Sequence, residues 1–268
     1  MLALKLAFKN LLGAGLRTWL NVSILSFAFV LIIFYNGLLD GWNRQGIKDT
    51  KEWEIGEGQF WHPEYDELDP FTIQDAHAPL SEKIQKLVNE NKLTPILISE
   101  ATAYPQGRMR SVVLKGIDPK QTISKIPSAG LETTEKRTFA IIGKRMAEAT
   151  KLKEGDNMLV RWRDKNGTYD AREIQIAAIF KCNVPPVDNG QIYVSLDVLQ
   201  EMTNMPNEAT LLVTSKDFEG GELENWAFKD LDFLLKDFHA LISAKKGGAS
   251  IMQIVLLVLA LLAIFDTQ

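Results

Sequence analysis

The chain has 268 residues, 46% of them apolar and 24% charged, with a net charge of -4. That length allows one or two domains with a packed core, and the mild acidity excludes the basic surface a nucleic-acid binder needs. A single cysteine, Cys182, excludes an internal disulfide, and the three histidines, His62, His77 and His239, have no metal-ligand spacing with it or with one another.

The apolar residues gather at the two ends. Residues 1–17 carry Lys5, Lys9 and Arg17 and no acidic side chain. At 100° per residue these cations fall within about a third of a helical circumference. That suits an interfacial helix lying in a membrane surface. Leu2, Leu6 and Leu16 fall in the same arc, so a plain basic flank fits equally well.

Residues 18–39 contain no charged side chain. As a helix they measure about 33 Å, enough to cross a bilayer core. The stretch is longer than the apolar core of a secretory signal, and the "YNGLLDGW" near its end offers no small-x-small cleavage site. It reads as a retained first span. The cations before it put the N-terminus in the cytoplasm by the positive-inside rule.

Residues 40–246 then lie outside the membrane. "EGQFWHP" (57–63) alternates as a strand and ends at a proline. Residues 79–91 form a helix with Ile84, Leu87 and Val88 on its apolar face and Ser81 or Pro79 at its start. Strands follow at 96–104 and 109–117 around the turn "PQGR". "TFAIIG" is a short strand leading to a helix at 144–150. "NMLVRWRD" and "YDAREIQIAAIF" form a hairpin around Asn166-Gly167. "GQIYVS" is a strand whose Ser195 can cap a helix reaching Thr203. "EATLLVTS" is a strand, "GGELENWAFKDLDFLLKDF" (220–238) is largely helical, and "HALISA" (239–244) is a last strand. The pattern is α+β. It divides into β-α-β material at about 50–117 and 206–245 and a β-rich insert at about 118–205.

"KKGGAS" (245–250) is a polar, flexible junction, and residues 251–265 are apolar except for Gln253. Residues 247–268 are therefore a second span, nearly complete.

No catalytic, cofactor-binding or metal-binding residue is assigned. There is no G-x-x-x-x-G-K-[ST], G-x-S-x-G or H-E-x-x-H motif. Gly143-Lys144 is followed by Arg145 where a magnesium-holding hydroxyl belongs, and "GEG" (56–58) lacks the third glycine of a dinucleotide loop. Asp66, Glu67 and Asp69 lie between prolines and suit a solvated loop. Of the neighbouring aromatics Phe60, Trp61 and Tyr65, strand spacing sends about half to the core. The chain is not expected to be an enzyme.

The order of parts, with "GEGQFWHPEY" (56–65), "VVLKGIDP" (112–119), "FAIIGKRMAEATKLKEGDNMLV" (139–160), "IQIAAIF" (174–180), "DNGQIYVSL" (188–196) and "LLAIFDTQ" at the end, resembles the permease subunits of the type VII ABC transporters. That group includes the LolC/LolE, MacB and FtsX-like permeases, and the lipoprotein-releasing members are the nearest in texture. The resemblance implies a MacB-like periplasmic core domain with a porter part and a Sabre-like insert. It also implies an inner-membrane location, a separate cytoplasmic ATPase, a homo- or heterodimeric second permease, surrounding lipid and a lipoprotein substrate. "CNVPPVDNG" (182–190) is too short for the carrier-recruiting hairpin of one lipoprotein-release permease. The third and fourth spans of such permeases have no counterpart, so the chain reads as a truncated fragment. The alternative is a two-span sensor, or an FtsX-like regulator, whose outer domain activates a partner protein.

Overall fold

A computed structural model describes residues 15–132 and 137–266, together with Leu6, Lys9 and Gly13. Most of the basic segment 1–17, and so its interfacial helix, lies outside the described residues. The fold is mixed α+β: apolar helices at either end of the chain flank a β-rich region. It divides into two compact units, one of residues 1–45 with 236–268 and one spanning Gly46–Leu235.

The first unit is built on helix α1 (Gly15–Thr50) and on a second long helix, Lys236–Asp266. Both are long and apolar enough to cross a membrane. Neither has a one-sided apolar stripe, which fits a helix surrounded by apolar material on all sides. Residues 239–244 are helical rather than a strand, and "KKGGAS" continues the helix rather than breaking it. A helical glycine costs about 1 kcal/mol relative to alanine, too little to interrupt a long apolar helix at Gly247 and Gly248.

In the second unit, α1 gives way to a π-helical turn, Lys51–Ile55. Strands β1 (Gln59–Trp61) and β2 (Ala78–Pro79) come next, then helix α2 (Glu82–Asn89). The Ser81 hydroxyl caps α2 by accepting from Ile84 N at 3.4 Å. β3 (Leu93–Tyr104) and β4 (Arg110–Ile117) form the expected hairpin. β5 (Thr138–Gly143), α3 (Lys144–Thr150), β6 (Asn157–Arg163), β7 (Tyr169–Phe180), α4 (Pro185–Gly190), β8 (Gln191–Ser195) and α5 (Leu196–Thr203) follow. The unit closes with β9 (Glu208–Ala209), β10 (Leu211–Thr214), β11 (Ala227–Lys229) and α6 (Leu231–Leu234). The helix at Lys236–Asp266 is α7.

One sheet runs β11-β1-β10-β3-β4-β8-β5-β7-β6, and β6 also pairs with β3. β3 does two jobs along one edge: Leu93–Ile96 bonds β10, and Ala101–Tyr104 bonds β6. The second pairing closes β3, β4, β8, β5, β7 and β6 into a six-stranded barrel, which leaves those strands without a free edge. β6 alternates exposed and buried along its whole length, as a barrel wall must. The barrel interior holds Leu97, Leu114, Ile142, Val160, Trp162 and Ile176, with Met146 of α3 and Leu199 of α5 packed on it. A second cluster on the outer face includes Trp61, Ile117, Ile141 and Phe180. A third lies under α2, around Phe60, Ile84, Leu212 and Trp226.

Residues 220–226 are not helical and 227–229 form a strand on β1, so the expected long helix at 220–238 is reduced to α6 and the start of α7. Sheet pairing outweighs a local apolar spacing that resembles a helix. Ser195 stands at the N-cap of α5, but its hydroxyl bonds the Asp197 side chain instead of a backbone N–H.

Candidate functional site

Two clusters among the described residues set polar side chains beside buried or exposed apolar surface. The first is the helix pair of the terminal unit. Gln253 Nε2 of α7 donates to Asn36 Oδ1 of α1 at 2.9 Å. Lys246 Nζ meets Asp40 Oδ1 at 2.8 Å, and the Lys245 ammonium lies 5.0 Å from the Trp42 ring centre. An interhelical amide bond such as Asn36–Gln253 is worth roughly 1 kcal/mol in an apolar medium. Away from these contacts the helices present bare apolar surface: Trp19, Phe27, Phe34, Ile251 and Leu262 are all more than half exposed.

The second place is the segment that enters the β-rich unit. Asp49 Oδ2 accepts from Asn183 Nδ2 at 3.3 Å. Glu52 O accepts from Lys125 N at 2.7 Å, and its carboxylate meets Lys125 Nζ at 2.8 Å. The Trp53 ring stacks on Phe180 with 5.5 Å between centres. Lys51 and Glu57 pair at 2.6 Å across the π-helical turn. Glu54 points inward. Its Oε1 accepts from Lys115 Nζ of β4 at 3.1 Å and from Gln191 Nε2 of β8 at 2.8 Å. Gln191 Oε1 in turn accepts from the buried Tyr193 hydroxyl. The backbone carbonyl of Glu54 accepts from Gln59 Nε2, whose amide oxygen receives Trp61 Nε1.

Burial by itself raises the Glu54 carboxyl. The Lys115 charge and the hydrogen bonds from Gln191 and Lys115 outweigh burial and hold it below the usual carboxylate range. Burial, then the Glu54 charge, pushes the Tyr193 phenol up. At neutral pH Glu54 is therefore a carboxylate and Tyr193 a neutral phenol. The cluster bonds the entering turn to two barrel strands.

Of the residues singled out by sequence, Trp61 and Tyr65 meet edge to face with 4.9 Å between ring centres. Asp66 and Asp69 accept from Leu68 N and Phe71 N and shape a turn. Phe60 and Trp61 are both buried, because β1 lies inside the sheet with both faces covered. His77 bonds Glu208, and the His62 ring meets the edge of Trp226. Among the described residues no group of histidine, cysteine and carboxylate side chains is placed to hold a metal. "CNVPPVDNG" folds into α4, where buried Asp188 pairs with Arg145 at 3.3 Å. Sequence reasoning named none of the Glu54 cluster. Its one local signal is Lys115, a lone cation inside the apolar strand "VVLKGI".

No protein-family model and no curated protein matches the chain. Solved structures similar in shape include two transporter domains. One is the periplasmic region of MacB from Actinobacillus actinomycetemcomitans. It is 10% identical with a TM-score of 0.41, over 69% of this chain and 94% of that one. The other is the extracellular domain of the noncanonic ABC-type transporter YknZ from Gram-positive bacteria, 17% identical with a TM-score of 0.35, over 68% and 94%. At these scores neither likeness fixes a function for this chain.

Proposed function

We propose that the chain is a permease subunit of an ABC transporter of the mechanotransmission type, at the inner (plasma) membrane. The observation that carries this is the pairing of α1 with α7 through Asn36–Gln253 and Asp40–Lys246, within helices whose remaining surface is apolar. Polar side chains that satisfy one another, with apolar surface all around, suit two spans packed together in lipid. The N-terminus faces the cytoplasm, and residues 40–246 form the extracytoplasmic domain. The bare faces of α1 and α7 meet lipid and a second permease. A separate cytoplasmic ATPase supplies the energy, and the substrate is taken at the outer face of the membrane, with lipoprotein release the favoured process.

The chain itself supplies no nucleotide chemistry in this reading. Extracting the tagged full chain from its host's membranes in mild detergent is expected to bring down an ATPase subunit. Phosphate release from ATP is expected only when that subunit is present. Recovery of a kinase or a cell-wall hydrolase without any ATPase would favour the two-span sensor instead.

A further inference from the structure

Behind the Glu54–Lys115 pair lies a cavity of about 30 Å³ lined by Trp53, Glu54, Thr94, Lys115, Ser124 and Tyr193, among others. Ser124 is held firmly. Its N–H donates to Gln121 Oε1 at 2.8 Å, and its carbonyl accepts from Gln121 Nε2 at 3.2 Å. Only its hydroxyl is left over: Ser124 Oγ is buried and has no hydrogen-bond partner among the described residues. Buried hydroxyls are rarely left in that state. Lys115 carries three donors and gives one to Glu54 Oε1.

We infer that this cavity binds an ordered water molecule, held by the Ser124 hydroxyl, the Lys115 ammonium and the Glu54 carboxylate. The volume suffices, since one water needs about 10–15 Å³ of such space together with two to four polar partners. The charges select the ligand. A cation meets the Lys115 ammonium, an anion meets the Glu54 carboxylate, and an apolar guest leaves both charges and the hydroxyl unpaired. A small neutral molecule that both donates and accepts satisfies all three. The inference does not depend on the permease reading.

Radiolytic hydroxyl footprinting of the full chain in detergent tests it, because a bound water is converted to hydroxyl radical where it sits. Tyr193 is 3% exposed, so oxidation there reports internal water and not bulk solvent. Wild type is expected to be oxidised at Tyr193. Ser124→Leu, which fills the cavity, is expected to lose that signal several-fold while still melting cooperatively. Ser124→Ala leaves Lys115 and Glu54 in place and is expected to keep it. Ser124→Val replaces the leucine variant if the larger side chain prevents folding. An unoxidised Tyr193 in wild type, or equal oxidation in wild type and the filled variant, overturns the assignment.

Discussion

Trp162→Ala is expected to lower the stability of the β-rich unit by about 3–5 kcal/mol, the cost of emptying a core aromatic site. Trp162 is 2% exposed and fills the barrel among Val160, Ile174 and Leu199. Its Nε1 donates to Met202 O of α5 at 2.6 Å. Truncation therefore opens a large cavity and leaves a buried carbonyl without its donor. For a unit of this size the loss corresponds to a fall in melting temperature of roughly 6–20 °C. Trp162→Phe keeps most of the volume and is expected to cost distinctly less. Phe228→Ala, on a residue 51% exposed at the sheet edge, serves as the mild control. Thermal melts followed by circular dichroism on the full chain in detergent read all three. A Trp162→Ala melt within a degree or two of wild type would mean the barrel is not the main core.

Gly56→Ala is the second large effect, expected at about 2–6 kcal/mol. Gly56 reverses the chain directly after the π-helical turn, with φ 63° and ψ -142°. A side chain in that region stores about 1–3 kcal/mol of strain. The space is closed as well, since a Cβ there would lie 2.5 Å from both Thr214 O and Val213 Cγ1. Overpacking against such neighbours adds about 1–3 kcal/mol. Thr214 sits in β10, so relief of the clash would have to come from the β1–β10 pairing. Gly155→Ala is the control, because it shares a positive φ of 88° but meets no atom within 4 Å. The same melts measure the pair, and equal losses would show that strain alone, without the close approach, sets the cost.

Much of the architecture could be read from residues, and the parts that could not share a physical cause. β6 and β7 announce themselves through period-two alternation and the Asn166-Gly167 turn, where Asp164 Oδ1 accepts from both Asn166 N and Thr168 N. Ser81 marks the start of α2 because a cap is a local interaction. α1 and α7 stand out because lipid-compatible composition is a property of the segment alone. Barrel closure by β3 on β6 has no local signature, since it depends on where distant strands are brought together. The same holds for β11, whose Phe228 and neighbours mimic helical spacing and become a strand only when β1 is beside them. The Glu54 cluster joins positions far apart in sequence, so its members look like ordinary surface polar residues until the fold is known. Lys115, charged within an apolar strand, was the one visible clue.

In the proposed topology the N-terminus lies on the inner side of the membrane and the β-rich unit outside it. Cys182 cannot report this, because its thiol is 3% exposed. A Cys182→Ala background carrying Met109→Cys places a thiol at a site 77% exposed, and Lys9→Cys in the same background marks the other side. Cells with any outer barrier permeabilised are treated with a membrane-impermeant maleimide, intact and after lysis. The account predicts full labelling at position 109 in intact cells and labelling at position 9 only after lysis. Protection of position 109 until lysis, or free labelling of position 9 in intact cells, would contradict it.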